Sequence, residues 1–195
     1  MNIMIVGVGG QGTLLASKVL GTVAIKCNYD TKVSEIHGMS QRGGSVVTYV
    51  KFGDDGNKIN SPLIEKGEAD YILAFESLEA FRWRAYLKKG GVMILNDQQI
   101  NPMPVIIGRE KYPENIVSKL KEELGADSLI SLNALEIAGK CGNMKAVNTV
   151  LMGVLARIIG IEKTVWQDAL TQVIPEKVRE INIKAFEAGY NNSQC

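Results

Sequence analysis

Along this chain short apolar runs alternate with helical periods up to Ala134, and helical periods alone fill the remainder. Ile3-Met4-Ile5-Val6 makes residues 2–6 a strand by its continuous apolar character. Residues 11–26 place Leu14, Leu15, Val19 and Val23 on one helical face. Thr31–Ile36 is a second strand. Ser45–Phe52 is a longer one, closed by the turn residues Gly53-Asp54-Asp55-Gly56. The run ADYILAF (69–75) predicts a buried strand, and residues 77–89 a helix stopped at Gly90-Gly91. GVMILN (91–96), PVIIG (104–108) and SLISLN (128–133) predict three more strands, with an amphipathic helix over 113–124 ended by Gly125. From Ala134 to Gly189 the helical pattern breaks at Cys141-Gly142, Gly160 and Pro175. The order implies one α/β domain over 1–195. It is a Rossmann-like, mostly parallel sheet core at about 1–133 with a C-terminal helical layer at about 134–189. No linker divides it.

Composition narrows the partners. Of 195 residues, 46% are hydrophobic and 22% charged, the balance of a globular protein. A net charge of +1 gives no electrostatic reason to expect nucleic acid or an acidic membrane surface. There is no run of about 20 apolar residues to span a bilayer, and no signal-peptide pattern precedes the first strand. The three cysteines, Cys27, Cys141 and Cys195, are widely spaced and odd in number. That argues against a disulfide framework and for a reducing, cytoplasmic setting. Three thiols also fall short of the four that an iron–sulfur cluster takes from its protein.

Two glycine clusters carry the candidate chemistry. Gly7-Val8-Gly9-Gly10-Gln11-Gly12 satisfies G-x-G-x-x-G, with a strand before it and a helix after it. One glycine allows the tight turn, another lets a diphosphate approach backbone N–H groups, and the last lets the helix pack close to the sheet. The helix N-terminus then offers unpaired amides and partial positive charge. The same glycines also suit a tight strand–helix turn that holds nothing. In a dinucleotide-binding domain an acid ends the second strand to bind ribose, and Glu35 is the candidate for that place.

The second cluster is EIHGMSQRGGS, residues 35–45, which holds the only histidine of the chain. It lies between two strands and should face the first loop at the carboxyl ends of the sheet. Gly43 and Gly44 let backbone come close to a ligand, and Arg42 suits a phosphate or carboxylate. Taken alone, His37 reads as a surface side chain. The loop as a whole reads as functional, because Glu35, His37, Ser40, Gln41 and Arg42 set among glycines exceed what a mere connection needs.

Together GVGGQG and EIHGMSQRGGSVVTYVKFG resemble the gamma-type domain of the 2-oxoacid:ferredoxin oxidoreductases. The variant most similar is the beta subunit of indolepyruvate:ferredoxin oxidoreductase, for which HGMSQRGGSV is characteristic. Asn148 with LMGVLARIIG, and REINIKAFEAG at 179–189, match the family's closing helices, so the resemblance covers nearly the whole chain.

The resemblance implies a reaction that turns a 2-oxoacid and coenzyme A into acyl-CoA and carbon dioxide, with two electrons passed to ferredoxin. Thiamine diphosphate, Mg2+ and iron–sulfur clusters serve that reaction. This chain carries no cluster ligand set and no G-D-G motif with a downstream Asn to hold magnesium and thiamine diphosphate. The chemistry is therefore expected in a larger partner subunit, this chain binding no cofactor or metal alone and contributing no catalytic residue. Its expected part is a wall of the active site or of the coenzyme A site. Gly7, Gly9, Gly10, Gln11 and Gly12 would meet a phosphate, while Gln41 and Arg42 would meet an anionic group at the subunit boundary. In isolation a homodimer is expected.

Other features weigh less. Trp83 and Trp166 read as packing or partner contacts. Leu151, Val154, Leu155, Ile158 and Ile159 form a core stripe. RWRAYLKK is a solvated face or a partner surface, and Asn96 and Asp97 end a buried strand. Two other readings stay open: a stand-alone NAD-binding oxidoreductase with Glu35 on the ribose, and a module that sequesters a phosphate-bearing metabolite. The subunit reading requires the two glycine loops to converge, with Gly10 and Arg42 on one side of the molecule.

Overall fold

The computed structural model describes residues 1–38, 43–53 and 58–192. The chain starts with β1 (Asn2–Val8), crosses over through α1 (Thr13–Lys26) and returns as β2 (Thr31–His37) and β3 (Ser45–Phe52). Then come β4 (Ala69–Ala74), α2 (Ser77–Trp83), β5 (Leu87–Asn96), α3 (Met103–Ile106), α4 (Ile116–Leu124) and β6 (Leu129–Leu132). Four helices close the chain: α5 (Ala134–Lys140), α6 (Val147–Ile159), α7 (Lys163–Val173) and α8 (Glu176–Tyr190).

The six strands lie in the order β2-β3-β1-β4-β5-β6. β1, β4, β5 and β6 pair in parallel, and β3 runs against both β1 and β2. A short β2–β3 connection permits only an antiparallel return, whereas each parallel neighbour is reached through a crossover. Alternation along the strands divides the core. Ile3, Ile5, Leu73 and Ile94 face α1 and the C-terminal helices. Met4, Val6, Ile72, Met93 and Leu95 face α2 and α4. Helices thus cover both faces of the sheet, and its central strands β1, β4 and β5 are mostly apolar on both sides.

α6 and α8 cross with backbone against backbone. A Cβ at Gly153 would lie 2.1 Å from the Phe186 carbonyl oxygen, and one at Gly189 would lie 2.0 Å from that of Val150. Only glycine fits at either position. Trp166 is fully buried and stacks on Phe186, with ring centroids 6.0 Å apart.

The structure departs from the sequence pattern in two places. The helix expected over 77–89 ends at Trp83, and β5 already begins at Leu87. Gly90 and Gly91 lie inside this strand, where the β4–β5 register shifts between Ala69 and Tyr71. Gly90 has φ +78°, and a Cβ at Gly91 would sit 2.8 Å from the Asp70 carbonyl oxygen. The glycine pair bends a strand against its neighbour instead of stopping a helix. The second departure is PVIIG, expected as a strand, which forms the helical turn α3. Pro102 and Pro104 cannot donate to a ladder and suit a first helical turn. Among the described residues no helix is long and apolar enough to cross a membrane.

Candidate functional site

The first glycine loop leaves the carboxyl end of β1 and opens α1, and each of its residues has a distinct task. Gln11 turns its side chain inward. Its Oε1 accepts from the Val8 N–H at 2.9 Å, and its Nε2 donates to the Phe75 carbonyl at 2.9 Å, which ties the ends of β1 and β4 together. A Cβ at Gly7 would lie 2.8 Å from that Oε1 and 3.2 Å from Phe75 Cβ. Gly12 has φ +82°, and a Cβ there would lie 2.5 Å from Asn148 Nδ2, which itself donates to the Gly12 carbonyl at 3.2 Å. Gly7 and Gly12 are therefore held by packing. Gly10 differs: its φ is +101°, and a Cβ would meet nothing within 4 Å.

That open glycine lies in a cleft of 430 Å3 beside Gln11 and Gly12, with Gln98, Lys145 and Asn148 among the facing walls. No side chain caps α1. The first-turn amides have no intrahelical acceptor, and the helix dipole adds partial positive charge. Lys145 contributes a full one. The cleft thus sets a helix N-terminus and one cation, an arrangement suited to an anion, against apolar walls from Leu15, Ile100, Leu135 and Val147.

The second loop meets the first. Gly9 donates its N–H to the Gly44 carbonyl at 2.9 Å, and Gly38 donates to the Ser45 carbonyl at 2.9 Å. Gly43 has φ +73° and open space around it. Ser40, Gln41 and Arg42 lie outside the described residues, and so does the expected placing of Gly10 relative to Arg42.

Glu35 and His37 sit on β2 rather than in the cleft wall. Glu35 Oε2 accepts from Thr48 Oγ1 at 2.9 Å and from Thr13 Oγ1 at 3.3 Å, and its Oε1 pairs with His37 Nε2 at 2.5 Å. Thr13 is the first residue of α1, so Glu35 braces the glycine turn from the side. Both oxygens are engaged, so a ribose hydroxyl would have to share them with Thr13, Thr48 and His37.

Polar residues the motifs do not reveal hold the remaining walls. Asn96, fully buried at the end of β5, donates to the Phe75 carbonyl at 3.1 Å and to Gln98 Oε1 at 3.2 Å. Its Oδ1 accepts from the Ala134 N–H at 3.1 Å and so fixes the start of α5. Phe75 is the shared acceptor that joins Gln11 to Asn96. Glu76, 1% exposed, caps α2 by accepting from the Glu79 N–H at 2.9 Å. It also takes the Ile100 N–H at 3.0 Å and the Tyr112 hydroxyl at 2.5 Å. Burial, then the bond and charge of Glu76, push the Tyr112 hydroxyl well above the ordinary phenol range. Glu79 pairs with Arg82 at 2.6 Å and accepts from Ser45 Oγ at 2.5 Å, fastening the second loop from below. Glu76 stands where a capping box has Ser, Thr, Asp or Asn, so only Glu79 follows that signal in sequence. Gln98 and Lys145 carry no such signal.

Comparison with known proteins places this arrangement. The pyruvate ferredoxin/flavodoxin oxidoreductase family model matches residues 2–192. Indolepyruvate oxidoreductase subunit IorB of Pyrococcus horikoshii is 39% identical over 191 residues, spanning 96% of this chain and 93% of that protein. The IorB subunit of Archaeoglobus fulgidus is 38% identical over 199 residues, spanning 99% and 95%. Among solved structures, the gamma subunit of a keto/oxoacid ferredoxin oxidoreductase from Geobacter sulfurreducens superposes with a TM-score of 0.69. It is 24% identical, with 97% of this chain and 95% of that one covered, and shares the fold.

Proposed function

The chain belongs to the pyruvate ferredoxin/flavodoxin oxidoreductase family, and on that premise we propose that it is the accessory subunit of a heteromeric 2-oxoacid:ferredoxin oxidoreductase. The substrate proposed is an arylpyruvate such as indolepyruvate, in keeping with the likeness to IorB subunits. The reaction is oxidative decarboxylation, with coenzyme A taking the acyl group, carbon dioxide leaving and ferredoxin receiving the electrons through the complex.

Thiamine diphosphate, Mg2+ and the iron–sulfur clusters belong to the larger partner in this reading. The donor set here does not fit them. The chain has three cysteines. Cys27 ends α1 and Cys141 ends α5, and no three metal-binding side chains converge among the described residues. No step of the chemistry is assigned to this chain.

What it is proposed to supply is the cleft at the N-terminus of α1. The phosphates of coenzyme A would meet the first-turn amides of α1 and Lys145, with Gly10 giving backbone access. The observation that carries this reading is the joining of the two glycine loops, Gly9 to Gly44, beside an open cleft rather than over a filled one. Against the NAD-dependent alternative stands the bracing role of Glu35, whose carboxylate is held by Thr13, Thr48 and His37.

The experiment is purification from the native cell with iron analysis, followed by calorimetric titration of the lone chain with NAD. A long iron-containing partner should copurify, and NAD should give no heat. A partnerless, iron-free chain that binds NAD at micromolar concentration would overturn the reading.

A further inference from the structure

The sheet has two edges, β6 and β2, and they are protected differently. β6 is four residues long, a short edge of the sort that resists further pairing. β2 is seven residues long, contains no proline and has the β-branched residues Thr31, Val33 and Ile36. Its inner side pairs with β3 from Thr31↔Phe52 to His37↔Val46. No backbone hydrogen bond from its outer side is formed with any described residue. Half of its N–H and C=O groups are therefore available for a further strand.

Apolar surface gathers around this edge. Leu14, Ile25, Val33 and Ile36 are each 45–66% exposed. Val33 lies on the α1 side of the sheet, in a 520 Å3 groove with Leu14, Gly21, Ile25 and Val173. Ile36 lies on the opposite side, next to Tyr49 and Leu63. The edge thus offers an apolar position on each face.

Charge decides the occupant. Lys32 stands directly opposite Lys51 in the β2–β3 ladder, a like-charge pair. Lys51 donates to the Leu63 carbonyl, and Lys32 makes no ion pair with any described residue. On the other face, Lys18 lines the Val33 groove. Of the nearby acids, Glu35 holds Thr13 and Thr48, Asp30 holds the Ile59 N–H and Glu68 accepts the Glu65 N–H, while Glu65 lines the Lys51 side of the sheet; none of them forms an ion pair with Lys32. A strand added beside β2 would complete the row if it placed a carboxylate next to Lys32. A second copy of this chain pairing β2 on β2 would place no carboxylate next to Lys32, because Glu35, the only acid of the strand, points to the opposite face.

We propose that the outer edge of β2 docks an extended segment of the larger partner subunit, with an acidic side chain beside Lys32 and apolar ones beside Val33 and Ile36. This rests on the subunit reading above. It makes strand addition the mode of attachment, with main-chain bonds giving affinity and the alternating side chains giving specificity. β2 runs straight into the loop that Gly44 fastens to Gly9, so the added strand would end close to the cleft.

The test is amide hydrogen exchange on the lone chain and on its complex with the large subunit, read over residues 31–37. The complex should slow exchange there by at least about tenfold, and Lys32→Glu should weaken association by about tenfold at low salt while leaving the thermal midpoint of the lone chain unchanged. Val33→Asp should weaken it as well. A complex that forms with β2 exchange unaltered overturns the docking edge and leaves the subunit reading standing. Protection of β2 that grows with the concentration of the lone chain assigns the edge to a second copy and also overturns the proposal. No association with the large subunit at any concentration removes the subunit reading and the docking edge together.

Discussion

Gly9 lies 2.9 Å from the carbonyl oxygen of Gly44 and donates its amide proton to it. This one bond joins two bends that are far apart in the chain, and it does so with backbone atoms alone. A side chain at Gly7 or Gly12 would displace Gln11 or Asn148, which hold the first bend from inside.

The glycines of the first loop separate experimentally. Gly12→Ala forces φ +82° on a residue with a Cβ and drives that atom to 2.5 Å from Asn148 Nδ2. The expected loss is about 2–4 kcal/mol of stability, from left-handed strain plus overpacking. Gly10→Ala has the strain without the clash, for about 1–2 kcal/mol. Its larger effect is expected on KM for coenzyme A in the reconstituted complex. Urea unfolding and steady-state kinetics of both variants check this. Equal destabilisation of the two would contradict the division.

Asn148 is 2% exposed and uses both ends of its amide, donating to Gly12 and accepting from Thr149. Asn148→Ala should cost about 1–3 kcal/mol, the penalty of leaving buried polar groups unpaired. It should also loosen the first turn of α1, seen as faster amide exchange at Thr13 and Leu14. Unchanged exchange there would show that the bond to Gly12 does not set the turn.

The α6–α8 crossing gives a stability prediction away from the cleft. Gly189→Ala places a methyl group 2.0 Å from the Val150 carbonyl oxygen, which is backbone and cannot swing aside. The thermal midpoint should fall by the equivalent of about 3 kcal/mol, the upper part of the usual overpacking range. A midpoint within a degree of the parent would mean that the helices slide apart at no cost.

Tyr112 sets an alkaline limit. Its hydroxyl pKa is raised by burial and then by the bond to Glu76, so folding favours the protonated phenol. A raised folded value contributes stability that is fully present below the unfolded pKa of about 10 and is lost as pH climbs toward the folded one. Urea midpoints should decline above about pH 10, and Tyr112→Phe should decline less steeply from a lower neutral value. Parallel curves for the two proteins would dismiss this contribution.

Much of this was readable from residue order. Continuous apolar runs located β1, β4 and β5, and the glycine, cysteine and proline breaks placed the four closing helices, because burial on both sheet faces and helix-stopping residues act locally. The errors fall where a tertiary contact overrides a local signal. Gly90-Gly91 has the composition of a helix stop, yet it accommodates the β4–β5 register shift. The β-branched residues of PVIIG suggest a strand, but two prolines deny it ladder bonds. In the site, the motif pointed to Gly7 through Gly12, but not to which glycine faces open space. That depends on Asn148 and Phe75, which reach the loop only in the folded chain. Glu35 had the position of a ribose acceptor, and only the cross-strand neighbour Thr48 and the helix residue Thr13 show that its oxygens are occupied.

The central claim is that this chain completes a larger enzyme. Its most direct test is reduction of ferredoxin by indolepyruvate and coenzyme A, measured with the large subunit alone, with this chain alone, and with both. The account predicts turnover only when both are present, rising to a plateau as this chain is titrated in. Full activity of the large subunit alone, unaffected by adding the chain, would contradict it.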